Sequence, residues 1–312
     1  MKCDNCDKAA VITLQHGSLC KSHFINYFES KVFKTINKFK LIGRDENLCI
    51  ATSGGKDSLT VLYLTKKYLK RYNNNSTLFA LAVDEGITNY REQTLLDLKA
   101  FCNKHNVTLH VVSNKEEFGK TLDEAYPILK KKKPCNVCGV WRRYLLNKHA
   151  RRLKASKVVT GHNLDDEAQV VLMNVFKANT KLAGRLGPIS GIEENELFVQ
   201  RVKPLYFCSE KEVRLYTLLK GFDVQFTECP YSQEGYRYVI QDLLNAMENK
   251  YKGTKQGIIH SFLDLLPLLQ ERERGRVGEV GKCSLCNEPC QTASREPAQC
   301  NACLMKEAVN AI

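Results

Sequence analysis

The spacing of apolar residues alternates between two periods along most of the chain, which predicts alternating helices and strands. Apolar residues at helical spacing from Phe24 to Phe39 predict a first amphipathic helix over 24–40. Short apolar runs predict strands at 48–52, 77–83, 109–112, 157–160, 198–202 and 224–227. Helices are predicted at 58–72, 90–105, 141–153, 165–176 and 209–220, with further helix over 235–269. The helix over 209–220 opens with a capping box, Ser209-x-x-Glu212.

This alternation predicts an α/β fold with a parallel sheet and helices on both faces. Ligands of such sheets bind at the carboxyl ends of the strands. Four segments with polar or sulfur-containing residues follow predicted strands: 53–58, 84–86, 161–166 and Cys229. The sequence therefore predicts the functional site at this edge of the sheet.

Composition indicates a folded basic protein: 43% of the 312 residues are hydrophobic, and 47 Lys and Arg face 34 Asp and Glu. The net charge of +13 favours a nucleic-acid partner. The basic residues include a stripe beside one cysteine pair: Lys130, Lys131, Lys132, Lys133, Arg142, Arg143, Lys148, Arg151, Arg152 and Lys154. Neither a membrane-length apolar run nor a signal peptide is recognisable, so we expect a soluble, cytoplasmic protein that does not bind membranes.

Fourteen cysteines in a chain with this expected location favour metal or sulfur chemistry over disulfides. At the amino end, Cys3-x2-Cys6 is followed by Cys20-x2-His23; at the carboxyl end, Cys283-x2-Cys286 is followed by Cys300-x2-Cys303. Both spacings predict a structural zinc site, with Cys290 as a substitute ligand in the second. They predict zinc modules at 1–27 and 276–312 around a catalytic domain at 28–275. The single cysteines Cys49, Cys102 and Cys208 are predicted to pack in the core.

The remaining group begins with the isolated pair Cys135-x2-Cys138, to which we add Cys229. An isolated C-x-x-C pair is compatible with a redox dithiol, with half of a zinc site, or with two ligands of an iron–sulfur cluster. The spacing alone leaves these three interpretations open.

A glycine-containing loop, Ser53-Gly54-Gly55-Lys56-Asp57-Ser58, follows a predicted strand and opens a predicted helix. Backbone amides in such a turn bind anions, and the helix amino end adds partial positive charge. Ile50 and Asp57 exclude a Walker A motif, which needs glycine and Ser or Thr there. The loop resembles the pyrophosphate-binding loop of the N-type ATP pyrophosphatases.

Three further segments narrow this resemblance: 135–143, 160–168 and 229–231. Together they resemble the tRNA thiolation enzymes, which include the TtcA and TtuA groups and the cytoplasmic tRNA 2-thiolation proteins. The terminal cysteine modules resemble the archaeal-type thiouridine branch, from which the chain departs by the additional Cys290. The resemblance implies the PP-loop, adenine nucleotide alpha hydrolase-like fold.

The resemblance also implies a reaction, in which the O2 of a tRNA uridine is adenylated by ATP and then replaced by sulfur to give 2-thiouridine. It implies ATP binding by residues 53–58, Asp84 and Gly161, with Mg²⁺ present. The implied cluster is [4Fe-4S], held by Cys135, Cys138 and Cys229, with one iron open for sulfide. The residues with implied catalytic roles are Lys56, Asp57, Arg142 and Asp166.

Implied partners are tRNA, a sulfur donor (free sulfide or a thiocarboxylated ubiquitin-like carrier) and a second copy of the chain. The two zinc modules and the Lys- and Asn-rich composition favour uridine 34 over uridine 54.

Alternatives stay open at this stage. The three cysteines of the isolated group can instead hold zinc or carry a persulfide. An alternative role for Arg142 and Arg143 is contact with tRNA phosphates without a part in the chemistry. An alternative role for Asp165 and Asp166 is stabilisation of the helix that they open, through its dipole. His162 can be a structural turn residue. Competing functions are a 2-thiocytidine synthetase, a lysidine-forming ligase, an amidotransferase-type synthetase, and a non-enzymatic zinc-dependent RNA-binding protein.

Overall fold

The amino-terminal module consists of two short hairpins and a helix. The computed structural model describes residues 1–129, 132–191, 196–224, 229–232, 235–274, 280–291 and 297–311. In it, β1 (Lys2–Cys3) pairs with β2 (Cys6–Ala9), and β3 (Ile12–Leu14) pairs with β4 (Gly17–Leu19), both antiparallel. The helix α1 (Lys21–Lys38) follows, and its apolar residues contact the main core.

A central sheet of six strands lies in the described part of the chain. The strands are β5 (Asn47–Ala51), β6 (Thr77–Asp84), β7 (Leu109–Ser113), β8 (Lys157–Val159), β9 (Ile189–Ser190) and β10 (Gln200–Val202). Their order is β7-β6-β5-β8-β10-β9, and only the edge strand β9 is antiparallel to its neighbour. After β5 the chain forms β6 and β7 on one side of β5, and it then returns to form β8 on the other side of β5. This reversal places the ligand-binding crevice at the carboxyl ends of β5 and β8.

Helices cover both faces of the sheet. They are α2 (Lys56–Arg71), α3 (Arg91–Lys104), α4 (Asn114–Phe118), α5 (Leu122–Ala125), α6 (Pro134–Arg152), α7 (Leu164–Phe176), α8 (Thr180–Ala183), α9 (Glu210–Lys220), α10 (Tyr236–Lys250) and α11 (Thr254–Glu273). Leu48 and Ile50 of β5 pack with α1, α2 and α9 on one face. Cys49 between them packs with Ala150 of α6 on the other, as the alternation of side chains along a strand requires.

The carboxyl-terminal module packs against α4 and α6. It consists of the antiparallel pair β11 (Val280–Lys282) and β12 (Pro289–Gln291), followed by α12 (Asn301–Asn310). Phe118 and Trp141 stack with ring centroids 4.3 Å apart, and Met305 and Val309 of α12 join the same apolar cluster.

Most predicted elements are confirmed within a few residues, including the parallel sheet and the Ser209 capping box. One prediction was wrong in extent: the helix predicted from 141 begins at Pro134, because proline is favoured in a first helical turn. The helix predicted over 235–269 is interrupted at 251–253. Residues 225–227 of the last predicted strand lie outside the described residues. The described helices include none with the length and hydropathy of a membrane span.

Candidate functional site

The glycine-containing loop connects β5 to α2 and is folded as an anion-binding turn. Gly54 has a φ of +85°, and a Cβ there would lie 2.3 Å from the carbonyl oxygen of Thr94, so only glycine fits. The amide of Ser53 donates to the Ser58 hydroxyl oxygen at 3.2 Å, and that hydroxyl donates to the Gly55 carbonyl at 2.9 Å. The turn therefore ends at the amino terminus of a 16-residue helix, as predicted.

A buried arginine holds this loop by a hydrogen bond to its backbone. Arg91, at the start of α3, is 3% exposed and donates from Nη1 to the Ser53 carbonyl and from Nη2 to the Val83 carbonyl, both at 2.5 Å. Its Nε lies 2.9 Å from Oε2 of the buried Glu85. Arg91 thereby connects the loop to the carboxyl end of β6. Sequence reasoning missed this residue, because nothing in the local pattern marks an arginine as buried.

The charged residues of the loop make specific contacts. Lys56 Nζ lies 2.9 Å from Asp57 Oδ2 and 2.9 Å from Glu210 Oε1. Asp57 Oδ1 accepts a hydrogen bond from Asn163 Nδ2 at 2.9 Å. Burial raises the pKa of the Asp57 carboxyl and the nearby Asp166 charge adds to this, whereas Lys56 opposes it. A cation beside Asp57 and Asp166 would relieve this penalty on the charged form.

The loop after β8 packs directly on the first turn of α2. A Cβ at Gly161 would lie 2.8 Å from the Asp57 carbonyl carbon and 3.0 Å from the Ser58 amide nitrogen. Asn163 then caps α7, accepting from the amides of Asp165 and Asp166. The close approach explains why a glycine stands at this position, and it brings the predicted segments 53–58 and 161–166 together.

The two aspartates at the start of α7 differ. Asp165 is buried, pairs with Lys255 and accepts from the Glu210 amide at 2.8 Å, so it holds helices together. The Asp166 carboxylate is 30% exposed and pairs with Arg237 at 2.8 Å. Of the two, only Asp166 offers a carboxylate to a ligand in the crevice.

His162 and Asp84 lie at the same edge of the sheet. His162 Nδ1 is 2.9 Å from the Thr160 hydroxyl oxygen, and burial lowers the pKa of this imidazole. Asp84 ends β6, next to β5, and accepts from the Gly86 amide at 2.9 Å.

The three remaining predicted ligands come from two segments. Cys135 and Cys138 occupy the first turns of α6, and Cys229 lies in the described segment 229–232. The Cys135 thiol donates to the Tyr231 carbonyl at 3.4 Å. Burial raises the pKa of Cys138 to about 11, and the charges of Cys229 and Cys135 act in the same direction. The three cysteines therefore lie near one another, and Cys138 and Cys229 pack against the same apolar cluster. Within the described chain their sulfur atoms are not all within 4.8 Å of one another.

The spacing of the sulfur atoms distinguishes Cys135, Cys138 and Cys229 from the cysteine groups at the two ends of the chain. Four ligands of one tetrahedral zinc lie about 3.5 to 3.8 Å apart, given Zn–S of about 2.3 Å and Zn–N of about 2.0–2.1 Å. Cys6 and Cys20 sulfurs are 3.7 Å apart, as are those of Cys286 and Cys300. Among the described residues, Cys135, Cys138 and Cys229 are spaced more widely than the ligands of one zinc ion. A wider spacing is what a cluster requires, because each thiolate of a cluster binds a different iron.

Both terminal groups have the geometry of a closed four-ligand metal site. His23 Nδ1 lies 3.4 to 3.6 Å from the sulfurs of Cys3, Cys6 and Cys20. The second set, all within 4.8 Å of one another, is Cys283, Cys286, Cys300 and Cys303. Cys290 is buried on β12 beside this set but outside it.

We expect Cys3→Ala to destabilise the amino-terminal module rather than the chemistry, because a three-ligand zinc site loses much of its binding free energy. The expected result is the loss of one equivalent of zinc and a Tm lower by at least about 2 °C, corresponding to more than about 1 kcal/mol for a chain of this length. Metal analysis and calorimetry measure both. A variant with full zinc content and an unchanged Tm would show that Cys3 is not a ligand.

Arg142 lies on α6, one helical turn after Cys138, and its side chain is exposed to solvent. Tyr231, two residues after Cys229, donates to Asp123 at 2.8 Å, and the neighbouring Leu122 amide donates to the Glu85 carbonyl at 2.8 Å. Glu85 contacts Arg91, and Arg91 holds Ser53. The predicted loop and the cysteine segment are thus connected through the residues that follow β6. Two cavities, of about 350 and 300 Å³, lie elsewhere, beside Cys286 and beside Tyr63.

The predicted basic stripe is only partly available. Lys148 pairs with Glu117, and Arg151 pairs with Glu288 at 3.2 Å, so these charges are partly neutralised. Lys130 and Lys131 lie outside the described residues. Arg142 and Arg143 remain exposed to solvent in the crevice.

The sequence of the chain is similar to those of known proteins. The family model "PP-loop domain" matches residues 26–238. The chain is 35% identical over 291 residues to a tRNA-5-methyluridine(54) 2-sulfurtransferase from Pyrococcus horikoshii, covering 93% of this chain and 90% of that protein. It is 33% identical over 332 residues to the tRNA 2-thiolation protein NcsA from Haloferax volcanii, covering all of both.

Among solved structures, the chain is similar to the U34-tRNA thiolase NcsA from Methanococcus maripaludis, which was solved with its [4Fe-4S] cluster. The TM-score is 0.80 at 31% identity, covering 98% of this chain and 96% of that one.

Proposed function

This chain belongs to the PP-loop domain family, and we propose that it is a tRNA sulfurtransferase that uses ATP to convert a uridine to 2-thiouridine. The observation that carries the proposal is the contact between Cys135 and Tyr231, two residues after Cys229, in a segment that the residues following β6 connect to Ser53 of the loop 53–58. A nucleotide-activating loop alone fits many ligases, whereas three thiols beside it fit sulfur transfer.

The first step is adenylation. The triphosphate of ATP binds the amides of residues 53–58 at the amino end of α2, and Lys56 adds a full positive charge. The uridine O2 attacks the α-phosphorus, the bond to the bridging oxygen breaks, and pyrophosphate leaves. Negative charge grows on the α-phosphate, where Arg142 stabilises it. Asp84 and Gly161 contact the nucleotide from the neighbouring strand ends.

The second step is substitution at C2. Sulfide adds to C2, and AMP leaves with the former O2, so C=O is exchanged for C=S without net oxidation or reduction. Adenylation makes this possible because it turns a poor leaving group into a good one. Asp57 and Asp166 would hold Mg²⁺, for which carboxylate oxygens are preferred ligands, and the ion would offset phosphate charge.

The three thiolates of Cys135, Cys138 and Cys229 would hold a [4Fe-4S] cluster. When bound, the cluster supplies an iron atom without a protein ligand, at which sulfide is retained near the base. The contribution of the chain is to place these thiolates, Arg142 and the nucleotide loop at one crevice.

The partners follow from this reaction. We propose that tRNA binds the basic crevice and that sulfide, free or from a thiocarboxylated carrier, supplies the sulfur. The relatives act on uridine 34 or on uridine 54, so position 34 stays our prediction, with 54 as the alternative. A cytoplasmic location is proposed from the cytoplasmic tRNA 2-thiolation protein of Danio rerio, 34% identical over 99% of this chain.

A homodimer and a three-part domain organisation complete the proposal. Exposed apolar residues on α10 and α11, namely Val239, Leu243, Met247, Leu265 and Leu268, offer a surface for a second copy. We assign zinc modules to 1–27 and 276–312 and the catalytic domain to 28–275.

An in vitro reaction tests this function. Anaerobically purified protein with ATP, Mg²⁺, sulfide and unmodified tRNA should yield 2-thiouridine, AMP and pyrophosphate in equal amounts, and its absorbance near 400 nm should report the cluster. A colourless protein that contains only zinc and forms no thiolated tRNA would contradict the proposal and favour an RNA-binding role.

Lys56→Ala should slow adenylation by about 10²–10³-fold, because one preorganised positive charge at the developing phosphate charge is lost. Pyrophosphate release in a single turnover measures this step directly. Lys211→Ala, an exposed lysine on α9, is the matched control and should leave the rate unchanged. Equal rates for Lys56→Ala and the wild type would exclude the loop as the triphosphate site.

A further inference from the structure

Two arginines outside the assigned machinery lie on one side of the crevice. Arg143 is on α6, and Arg201 is the middle residue of β10. Val202, the next residue, packs in the core on the α2 and α9 face, so the side chain of Arg201 points to the opposite face, where α6 packs.

The side of α6 that carries Arg143 adjoins the segment leading into β10. Asn147, four residues after Arg143 and therefore on the same side of the helix, donates to the Leu197 carbonyl at 2.9 Å. It also accepts from the Val199 amide at 3.0 Å. These two hydrogen bonds fix α6 beside the strand that carries Arg201.

The Arg143 guanidinium folds back towards the cysteine site. A Cβ on Gly139 would lie 3.2 Å from Arg143 Nη1, so the guanidinium occupies the space that this glycine leaves. Gly139 directly follows Cys138. The positive charge is thereby held close to the first turns of α6.

Among the described residues, no anion compensates the charge of the Arg143 and Arg201 guanidinium groups. Neither forms an ion pair or a hydrogen bond with another described residue, whereas Lys148 and Arg151 of the same helix each pair with a glutamate. Surrounding protein lowers the pKa of both arginines, and the charge of Arg201 further lowers that of Arg143. Solvent nevertheless reaches both side chains. The two neighbouring positive charges of Arg143 and Arg201 repel each other and remain accessible to solvent. An anion bound between them would relieve this repulsion.

We propose that Arg143 and Arg201 form a second anion site, separate from the loop 53–58, that binds one backbone phosphate of the substrate RNA next to the reacting uridine. This inference rests on the proposed function. The nucleotide is not the expected occupant, because β10 lies two strands from β5, roughly 10 Å away across the sheet. Bidentate guanidinium groups suit a phosphate that must be held in one orientation.

The test compares Arg143→Gln, Arg201→Gln and the double variant with the wild type in tRNA binding across a series of salt concentrations. Each single variant should weaken tRNA binding about tenfold and reduce the salt slope by about 1, the value for one lost phosphate contact. The double variant should lose no further slope, because both side chains bind one phosphate. Arg201→Lys keeps the charge and should keep the slope.

Two controls separate the possible outcomes. Arg44→Gln removes an exposed arginine that precedes β5 and therefore lies at the amino ends of the strands, away from the carboxyl ends. This variant should leave tRNA binding unchanged. The affinity for ATP should be unchanged in every variant. Wild-type salt slopes in the arginine variants would overturn the second site while leaving the proposed function intact, as would a loss of ATP binding in place of tRNA binding. Failure of the wild type to bind and thiolate tRNA would instead refute the function itself.

Discussion

Cys229→Ser is expected to abolish tRNA thiolation while leaving ATP binding intact. Cys229 lies near Cys135 and Cys138, whereas the loop 53–58 is built from β5, α2 and Arg91 and does not depend on it. Loss of a residue that merely orients a metal ligand lowers metal affinity or activity by about 10–100-fold, so loss of a ligand should exceed about 100-fold. Iron content, thiolated product and ATP affinity are measured on the same preparation.

Cys102→Ala is the control for this experiment. Cys102 is 1% exposed in the core between α3 and the sheet, so its removal deletes a thiol without touching the crevice. The control should keep its iron and its activity. A Cys229→Ser protein with wild-type iron content and thiolation would remove Cys229 from the site.

Gly161→Ala should produce the second large effect, a loss of nucleotide binding. The added methyl group would lie 2.8 Å from the Asp57 carbonyl carbon and 2.9 Å from its oxygen, so the start of α2 has to move. Overpacking of this kind costs about 1–3 kcal/mol. If that displacement falls on the loop, ATP affinity decreases by roughly 5- to 150-fold.

Gly257→Ala provides the matched substitution, because a Cβ at Gly257 meets nothing within 4 Å and this helical position favours alanine. Calorimetric titration with ATP compares the two variants. An ATP affinity of Gly161→Ala equal to that of Gly257→Ala would show that the contact between the loop after β8 and α2 does not shape the nucleotide site.

The parts of the site that were predictable from sequence depend on short-range patterns. The spacing of Cys3, Cys6, Cys20 and His23 predicted four donor atoms close together, and the structure places them within 4.8 Å of one another, because a short loop brings its own ends together. The turn at Gly54 was predictable for the same reason. Strand–helix alternation predicted the parallel sheet, and with it the edge at which these segments meet.

The parts that were not predictable depend on contacts between distant segments. Arg91 is buried because Ser53, Val83 and Glu85 surround it, which no local pattern encodes. The charge of the basic stripe was overestimated, since Arg151 pairs with Glu288 of the carboxyl-terminal module.

The helix α6 began earlier than its hydrophobic pattern indicated, because Pro134 and the two cysteines of its first turns lack that periodicity. Cys290 was a plausible ligand by spacing, but the β11–β12 pairing places it outside the four-thiol set.

Mass spectrometry of tRNA nucleosides tests the central claim most directly, applied to a strain that lacks this gene and carries either the wild-type gene or the Cys229→Ser allele. The account predicts that 2-thiouridine disappears from the deletion strain, returns with the wild-type gene and stays absent with the Cys229→Ser allele. Mapping of the digested tRNA then assigns the sulfur to position 34 or 54. Unchanged 2-thiouridine in the deletion strain, or its full return with the Cys229→Ser allele, would contradict the account.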